Sequence, residues 1–206
     1  MSQQRPTKAD LAAAFGRRVP DLIAPGLEVL FCGINPSLYS AATGHHFARP
    51  GNRFWPALHG AGFTDRLLRP WEERLLLDYR LGVTNLVPRA TATAGEIGPE
   101  ELRRGRLRLM RKIRRYRPRC VAMLGIGAYR LAFDSPTAGP GRQPRMLQTA
   151  ILWVLPNPSG LNANHQLPDF VEAFRSVRES LVTPLEATDR RARNHTRSRR
   201  CIGSRL

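Results

Sequence analysis

Leu27–Trp55, LEVLFCGINPSLYSAATGHHFARPGNRFW, opens with six near-continuously apolar residues and turns abruptly to glycine, proline, amides and aromatics. An apolar run of that length, bounded by Gly26 and Gly33, has the pattern of a strand buried on both faces. The stretch after it has neither helical nor strand periodicity. A polar, aromatic loop placed at the end of a buried strand is a candidate ligand site, because open α/β sheets hold their ligands at the carboxyl ends of their strands.

Three more runs repeat the pattern: Gly82–Val87 (GVTNLV), Cys120–Leu124 (CVAML) and Ala150–Leu155 (AILWVL). The intervals between them are long enough for crossover helices. Pro99–Tyr116 starts with proline and two glutamates and carries Leu102, Leu109, Ile113 and Tyr116 on one face, as an amphipathic helix does. Pro168–Leu181 is a second, with Phe170, Val171, Phe174, Val177 and Leu181 inward. Asp134–Arg145 has the Pro and Gly density of a surface loop leading to a short edge strand. The expected fold class is α/β: a single domain with a central, mainly parallel β-sheet flanked by helices. Residues 1–23 read as an N-terminal extension, partly helical or flexible, 24–187 as the domain, and 188–206 as a disordered basic tail.

The chain of 206 residues has a net charge of +17. Its basic residues are arginines apart from Lys8 and Lys112. A GC-rich genome can exchange lysine for arginine but does not create an excess of basic over acidic residues. The tail holds seven arginines against one aspartate, so subtracting its +6 leaves +11 on the domain. A polyanion, nucleic acid before an anionic membrane, is the partner this charge implies. Cys32, Cys120 and Cys201 are odd in number and widely spaced, a reduced pattern without zinc spacing. No metal and no cofactor are expected. The N-terminus lacks the apolar core of a secretory signal and no segment approaches membrane-span length, so a soluble, cytoplasmic protein is expected, nucleoid-associated in a bacterium.

The loop has neither the G-x-G-x-x-G spacing nor a phosphate-binding G-x-x-x-x-G-K-[ST], and its neutral polar groups suit a planar, hydrogen-bonding ligand better than a phosphate. GINPS, followed by TGHHFARPGNRFW, then TNLV, then WVLPNPSGL, resembles the mismatch-specific uracil/thymine DNA glycosylases of the uracil-DNA glycosylase superfamily. The resemblance runs from about Ala24 to Val182 and implies that superfamily's three-layer α/β/α fold. It implies a monofunctional glycosylase that flips uracil, with thymine or damaged pyrimidines as further substrates, from duplex DNA opposite guanine. The base is then released by hydrolysis, as in base excision repair, by a monomer.

The resemblance also assigns roles. Asn35 matches the asparagine that holds the attacking water. Phe47 matches the aromatic that stacks on the flipped base, the backbone around Ile34 reads the pyrimidine edge, and Ser40 leaves room beside the base C5. Asn85 matches a polar pocket position. Asn157, Ser159, Gly160 and Leu161 match the loop that enters the duplex, with Leu161 as the wedge and the amides near Gly160 facing the unpaired guanine. Spacing alone also fits Phe47 as a core aromatic, Asn85 as a loop cap and Leu161 packed under its own loop. Ser37 stands where the family often has glycine, and Asn162 and Ala163 where some relatives carry serine and arginine. His45 and His46 read as exposed loop histidines, and the basic face of the Pro99–Tyr116 helix as a solvated surface. Two further readings stay open: a uracil-DNA glycosylase active in any context, single strands included, and a non-catalytic module that binds distorted duplexes.

Overall fold

The run at Leu27–Cys32 forms strand β1, Val29–Gly33, with every residue buried. The structure is a computed structural model and describes residues 5–182. β1 pairs in parallel with β2 (Leu81–Asn85) on one side and β3 (Cys120–Leu124) on the other. β3 pairs in parallel with β5 (Ile151–Leu155), and the two-residue β4 (Gly141–Arg142) closes that edge antiparallel to β5. The strand order is β2-β1-β3-β5-β4. The α/β class is as expected, whereas the edge strand lies within the Pro/Gly-rich Asp134–Arg145 stretch rather than after it. Because the chain leaves β1 toward β2 and returns past it to β3, the strand order reverses at β1.

Helices cover both faces. On one, α3 (Phe54–Gly60) and α6 (Leu167–Val182) pack over Val29, Phe31, Leu81 and Val83. Phe174 stacks on Phe31 at 5.3 Å between ring centres, and Phe54 meets Phe31 edge-on at 5.4 Å. On the other face α4 (Pro99–Tyr116) and α5 (Ile126–Phe133) cover Leu30, Cys32, Val121 and Leu152. α4 begins with proline and two glutamates and ends where Arg117 takes a left-handed conformation, φ 48°. The sequence-based bounds of this helix match the observed ones. Burial pushes the thiols of Cys32 and Cys120 up to about 12, so both stay protonated.

Two local features differ from the sequence-based expectation. The stretch after β1 is not devoid of regular structure: it holds the six-residue α2, Leu38–Thr43, capped by the Ser37 hydroxyl at its start and by Gly44 at φ 76°. A helix this short offers too few turns for periodicity to show. The N-terminal segment forms α1 (Lys8–Ala13), opened by a Thr7/Asp10 capping box, and then joins the core. Ala14, Val19 and Leu22 are buried, and Leu22 exchanges backbone hydrogen bonds of 2.9 and 2.8 Å with Val83 on the outer edge of β2. Residues 183–206, including the expected basic tail at 188–206, lie outside the described residues.

Candidate functional site

A cleft of about 90 Å³ opens at the carboxyl ends of β1 and β2, roofed by the loop after β5. It gathers Ile34, Asn35, Ser40, Phe47, Asn85, Asn157, Ser159 and Leu161, residues from opposite ends of the sequence. Gly160 lies in the same loop but is not part of the lining.

Asn35 is the most constrained polar group. Its amide nitrogen lies 2.7 Å from Thr91 Oγ1 and 3.2 Å from the carbonyl oxygens of both Pro36 and Arg89. Carbonyls only accept, so the nitrogen must face them. The Thr91 hydroxyl donates to the Thr93 carbonyl at 2.7 Å, leaving its lone pairs to receive Asn35. The amide orientation is thereby fixed, and Asn35 Oδ1 is left as an acceptor. Thr91 itself is buried and lines the same cleft.

Phe47 stacks on Phe54 with ring centres 4.0 Å apart and planes 20° from parallel. Its backbone has φ 53°, a left-handed conformation that costs energy for an aromatic residue and must be held by its surroundings. Ser40 supplies part of that hold, since its buried hydroxyl accepts the N–H of the adjacent Ala48 at 3.2 Å. Ser37 bonds Ser40 at 3.1 Å, which gives a local role to the residue that departs from the family pattern. Asn85 stands opposite Gly33 in the β1–β2 register. A Cβ at Gly33 would come within 2.5 Å of Asn85 Oδ1, so only glycine lets that amide lie across the strand end. Asn85 makes no side-chain hydrogen bond among the described residues. The Ile34 carbonyl is taken by the Val87 N–H at 2.9 Å, so from Ile34 only the N–H remains for a ligand.

The histidines differ from the reading as exposed loop residues. His46 is 2 % exposed and His45 is largely covered. Glu73, from the 3-10 turn Pro70–Leu77, receives the His46 N–H at 2.7 Å and meets His45 Nδ1 at 3.1 Å. His46 Nε2 lies 2.9 Å from the Pro20 carbonyl, so that nitrogen carries the proton. Burial holds the His46 imidazole below its ordinary pKa despite the nearby Glu73, and it is neutral at pH 7.

Arg53 secures the loop after β5. Its guanidinium donates to the carbonyls of Ser159, Asn162 (2.8 Å) and His165 (2.5 Å) while lying 4.8 Å from the Phe170 ring centre. Within the loop, Ser159 N–H donates to Asn157 Oδ1 at 3.1 Å, and Asn162 Nδ2 to the Asn157 carbonyl at 3.0 Å. Asn162, another departure from the family pattern, thus becomes a brace. Gly160 packs so closely that a Cβ would lie 2.8 Å from the Gly51 carbonyl oxygen. Leu161 is 61 % exposed, so it does not pack beneath its own loop. Arg53, Thr91 and Glu73 escaped the sequence reading.

A family model described as the Uracil DNA glycosylase superfamily matches residues 20–181. Among solved structures, the chain is similar to the solution structure of a candidate uracil DNA glycosylase from Methanosarcina acetivorans. That match has 20% sequence identity and a TM-score of 0.52 and covers 80% of this chain and 99% of the other. At that identity the likeness bears on the fold.

Proposed function

Because the chain belongs to the uracil DNA glycosylase superfamily, whose members are DNA glycosylases, we propose that it releases uracil, with thymine or damaged pyrimidines as further substrates, from duplex DNA opposite guanine. The observation that carries this reading is the fixed amide of Asn35, which leaves a single carbonyl oxygen as acceptor in a cleft floored by an aromatic ring.

The target nucleotide must leave the stack before its glycosidic bond can be reached, at a cost of a few kcal/mol that is least for a mispaired base. In the proposed complex the base extends the Phe54–Phe47 stack. The Asn85 amide and the Ile34 N–H meet its polar edge, and Ser40 leaves space beside C5. Bond breaking sends the C1′–N1 electron pair into the base, whose anionic charge backbone N–H groups stabilise. Water held by Asn35 Oδ1 then bonds to C1′, and its proton passes through solvent to the base anion, leaving free base and an abasic sugar. Asn35, as an amide, orients the water but cannot act as a strong base. Lys8 and Lys112 both lie outside the cleft, Lys112 paired with Asp21 at 2.5 Å, so no Schiff base with the sugar is expected.

Oligonucleotides bearing uracil, thymine, xanthine or etheno-adducts, single- and double-stranded, test the reading after enzyme and alkali treatment. Cleavage strongest at uracil opposite guanine supports it. Equal cleavage in single strands favours the broader uracil activity, and binding without cleavage favours the non-catalytic module.

Thr91 should act through Asn35. Thr91→Val keeps the shape but removes the acceptor for Asn35 Nδ2, so single-turnover release should fall roughly tenfold to hundredfold at unchanged duplex affinity, and Thr91→Ser should restore it. Leu161, exposed at the cleft rim, is proposed as the wedge that replaces lost stacking. Leu161→Ala should lose more activity on uracil opposite adenine, if the wild type shows any, than opposite guanine, where the pair is already weak. Equal losses on both would move the wedge elsewhere.

A further inference from the structure

Helix α4 carries eight basic and two acidic residues. At 100° per residue, Arg104, Arg108, Arg111, Lys112 and Arg115 fall on one stripe, beside the buried face formed by Leu102, Leu109 and Ile113. From Arg104 to Arg115 the stripe is about 16 Å long at helical rise, a reach of several phosphates along a nucleic-acid strand.

The stripe borders a cavity of about 320 Å³ lined by Asp21, Ile23, Arg108, Arg111, Lys112, Arg115 and Tyr116, and it shares no residue with the cleft. Five arginines outside α4 have acidic partners: Arg66 with Glu72, Arg80 and Arg119 with Glu28, Arg89 with Glu101, Arg175 with Glu172. Around this cavity the one carboxylate, Asp21, is committed to Lys112 at 2.5 Å. Arg104, Arg111 and Arg115 form no ion pair among the described residues, although Arg104 is near enough to Glu101 to help lower its pKa. Arg108 donates from Nη2 to the Leu86 carbonyl at 3.2 Å, yet its buried Nε has no hydrogen-bond partner. Arg108 and Lys112 are like charges four residues apart, as are Arg111 and Arg115, an arrangement that disfavours the helix unless an anion screens it.

We propose that this stripe is a second DNA-binding surface, holding phosphates of a segment other than the one in the cleft. The Arg89–Glu101 ion pair marks the end of α4 nearest the cleft, because the Arg89 carbonyl receives Asn35. The stripe runs from there toward the opposite end of the sheet, along the β2 edge where Leu22 pairs. A duplex seated at the strand ends therefore does not follow it, and the stripe engages a neighbouring stretch of the same molecule or another one.

The test uses the full chain with Arg104, Arg111 and Arg115 all changed to Gln, leaving Arg108 and Lys112 in place. Binding to an undamaged 30-base-pair duplex is measured by fluorescence anisotropy from low to moderate salt. The plot of log affinity against log salt should become shallower by about 2 to 3, with affinity down at least about tenfold at 0.1 M salt. Single-turnover uracil release from a short G:U duplex at saturating enzyme should stay within twofold of wild type. A control with Arg69, Arg142 and Arg178, exposed residues on other elements, changed to Gln removes the same charge and should keep the wild-type slope. An unchanged slope in the α4 variant, or an equal drop in the control, overturns the proposal. A shallower slope confined to the α4 variant, with no uracil release by the wild type, upholds this surface and instead overturns the function proposed for the cleft.

Discussion

Asn35→Ala should lose roughly hundredfold to thousandfold in single-turnover base release while its affinity for a G:U duplex stays within about threefold of wild type. The split follows from geometry. Asn35 spends its amide protons on Thr91, Arg89 and Pro36, so what it offers a ligand is one oxygen at a fixed place. Losing an acceptor for water leaves the stacking face of Phe47, the wedge loop and the charge of the protein intact, and these carry the affinity. The loss appears in the chemical step because a water free to wander pays its orientation entropy at the transition state. Rapid-quench excision under single turnover, with anisotropy binding in parallel, reads both quantities. Undiminished excision would remove Asn35 from the mechanism, and a matching loss in affinity would make it a binding residue.

Arg53→Ala is expected to have the largest effect on stability. One guanidinium satisfies the carbonyls of three loop residues, and each hydrogen bond to a charged donor contributes about 1.5–3 kcal/mol. Solvent can satisfy part of what is lost, so a net cost of about 3 kcal/mol is expected, or a fall of roughly 6–12 °C in the thermal midpoint. The loop it holds carries Leu161, so excision should fall further than the stability loss explains at a temperature where the variant is fully folded. Arg53→Lys should recover little of either, because an ammonium cannot present a planar fork to three carbonyls. Differential scanning calorimetry and excision at 15 °C separate the two effects. An unchanged midpoint with unchanged excision would show that the loop holds its shape without this anchor.

The strands and long helices were legible because they are repetitive. β1, β3 and β5 are continuous apolar runs, and α4 has five turns over which Leu102, Leu109 and Ile113 mark one face. The short α2 was not legible, since its signals are two caps, Ser37 and Gly44, around six residues. That Asn35, Phe47, Asn85 and Leu161 share one cleft was legible through motifs at the carboxyl ends of β1, β2 and β5. Their supports were not, for a physical reason: Asn35, His46 and Arg53 are fixed largely by backbone carbonyls of Arg89, Pro20, Ser159, Asn162 and His165. Every residue has a carbonyl, so such a partner leaves no mark in the sequence. His46 shows how this misleads. In a Gly-His-His loop segment it looks like a surface residue, but a carbonyl 26 positions earlier and Glu73 draw it into the interior.

The central claim is that the cleft receives an extruded pyrimidine with Asn35 holding water at the sugar. A crystal structure with a duplex carrying 2′-fluoro-2′-deoxyuridine opposite guanine tests it most directly, because the fluorine destabilises the oxocarbenium-like transition state and keeps the glycosidic bond intact. The expected result is a uracil ring parallel to Phe47, a water within hydrogen-bond reach of Asn35 Oδ1 facing C1′, and Leu161 filling the gap in the base stack. A uracil still stacked in the duplex, or flipped into a site that leaves Asn35 and Phe47 untouched, would contradict the account.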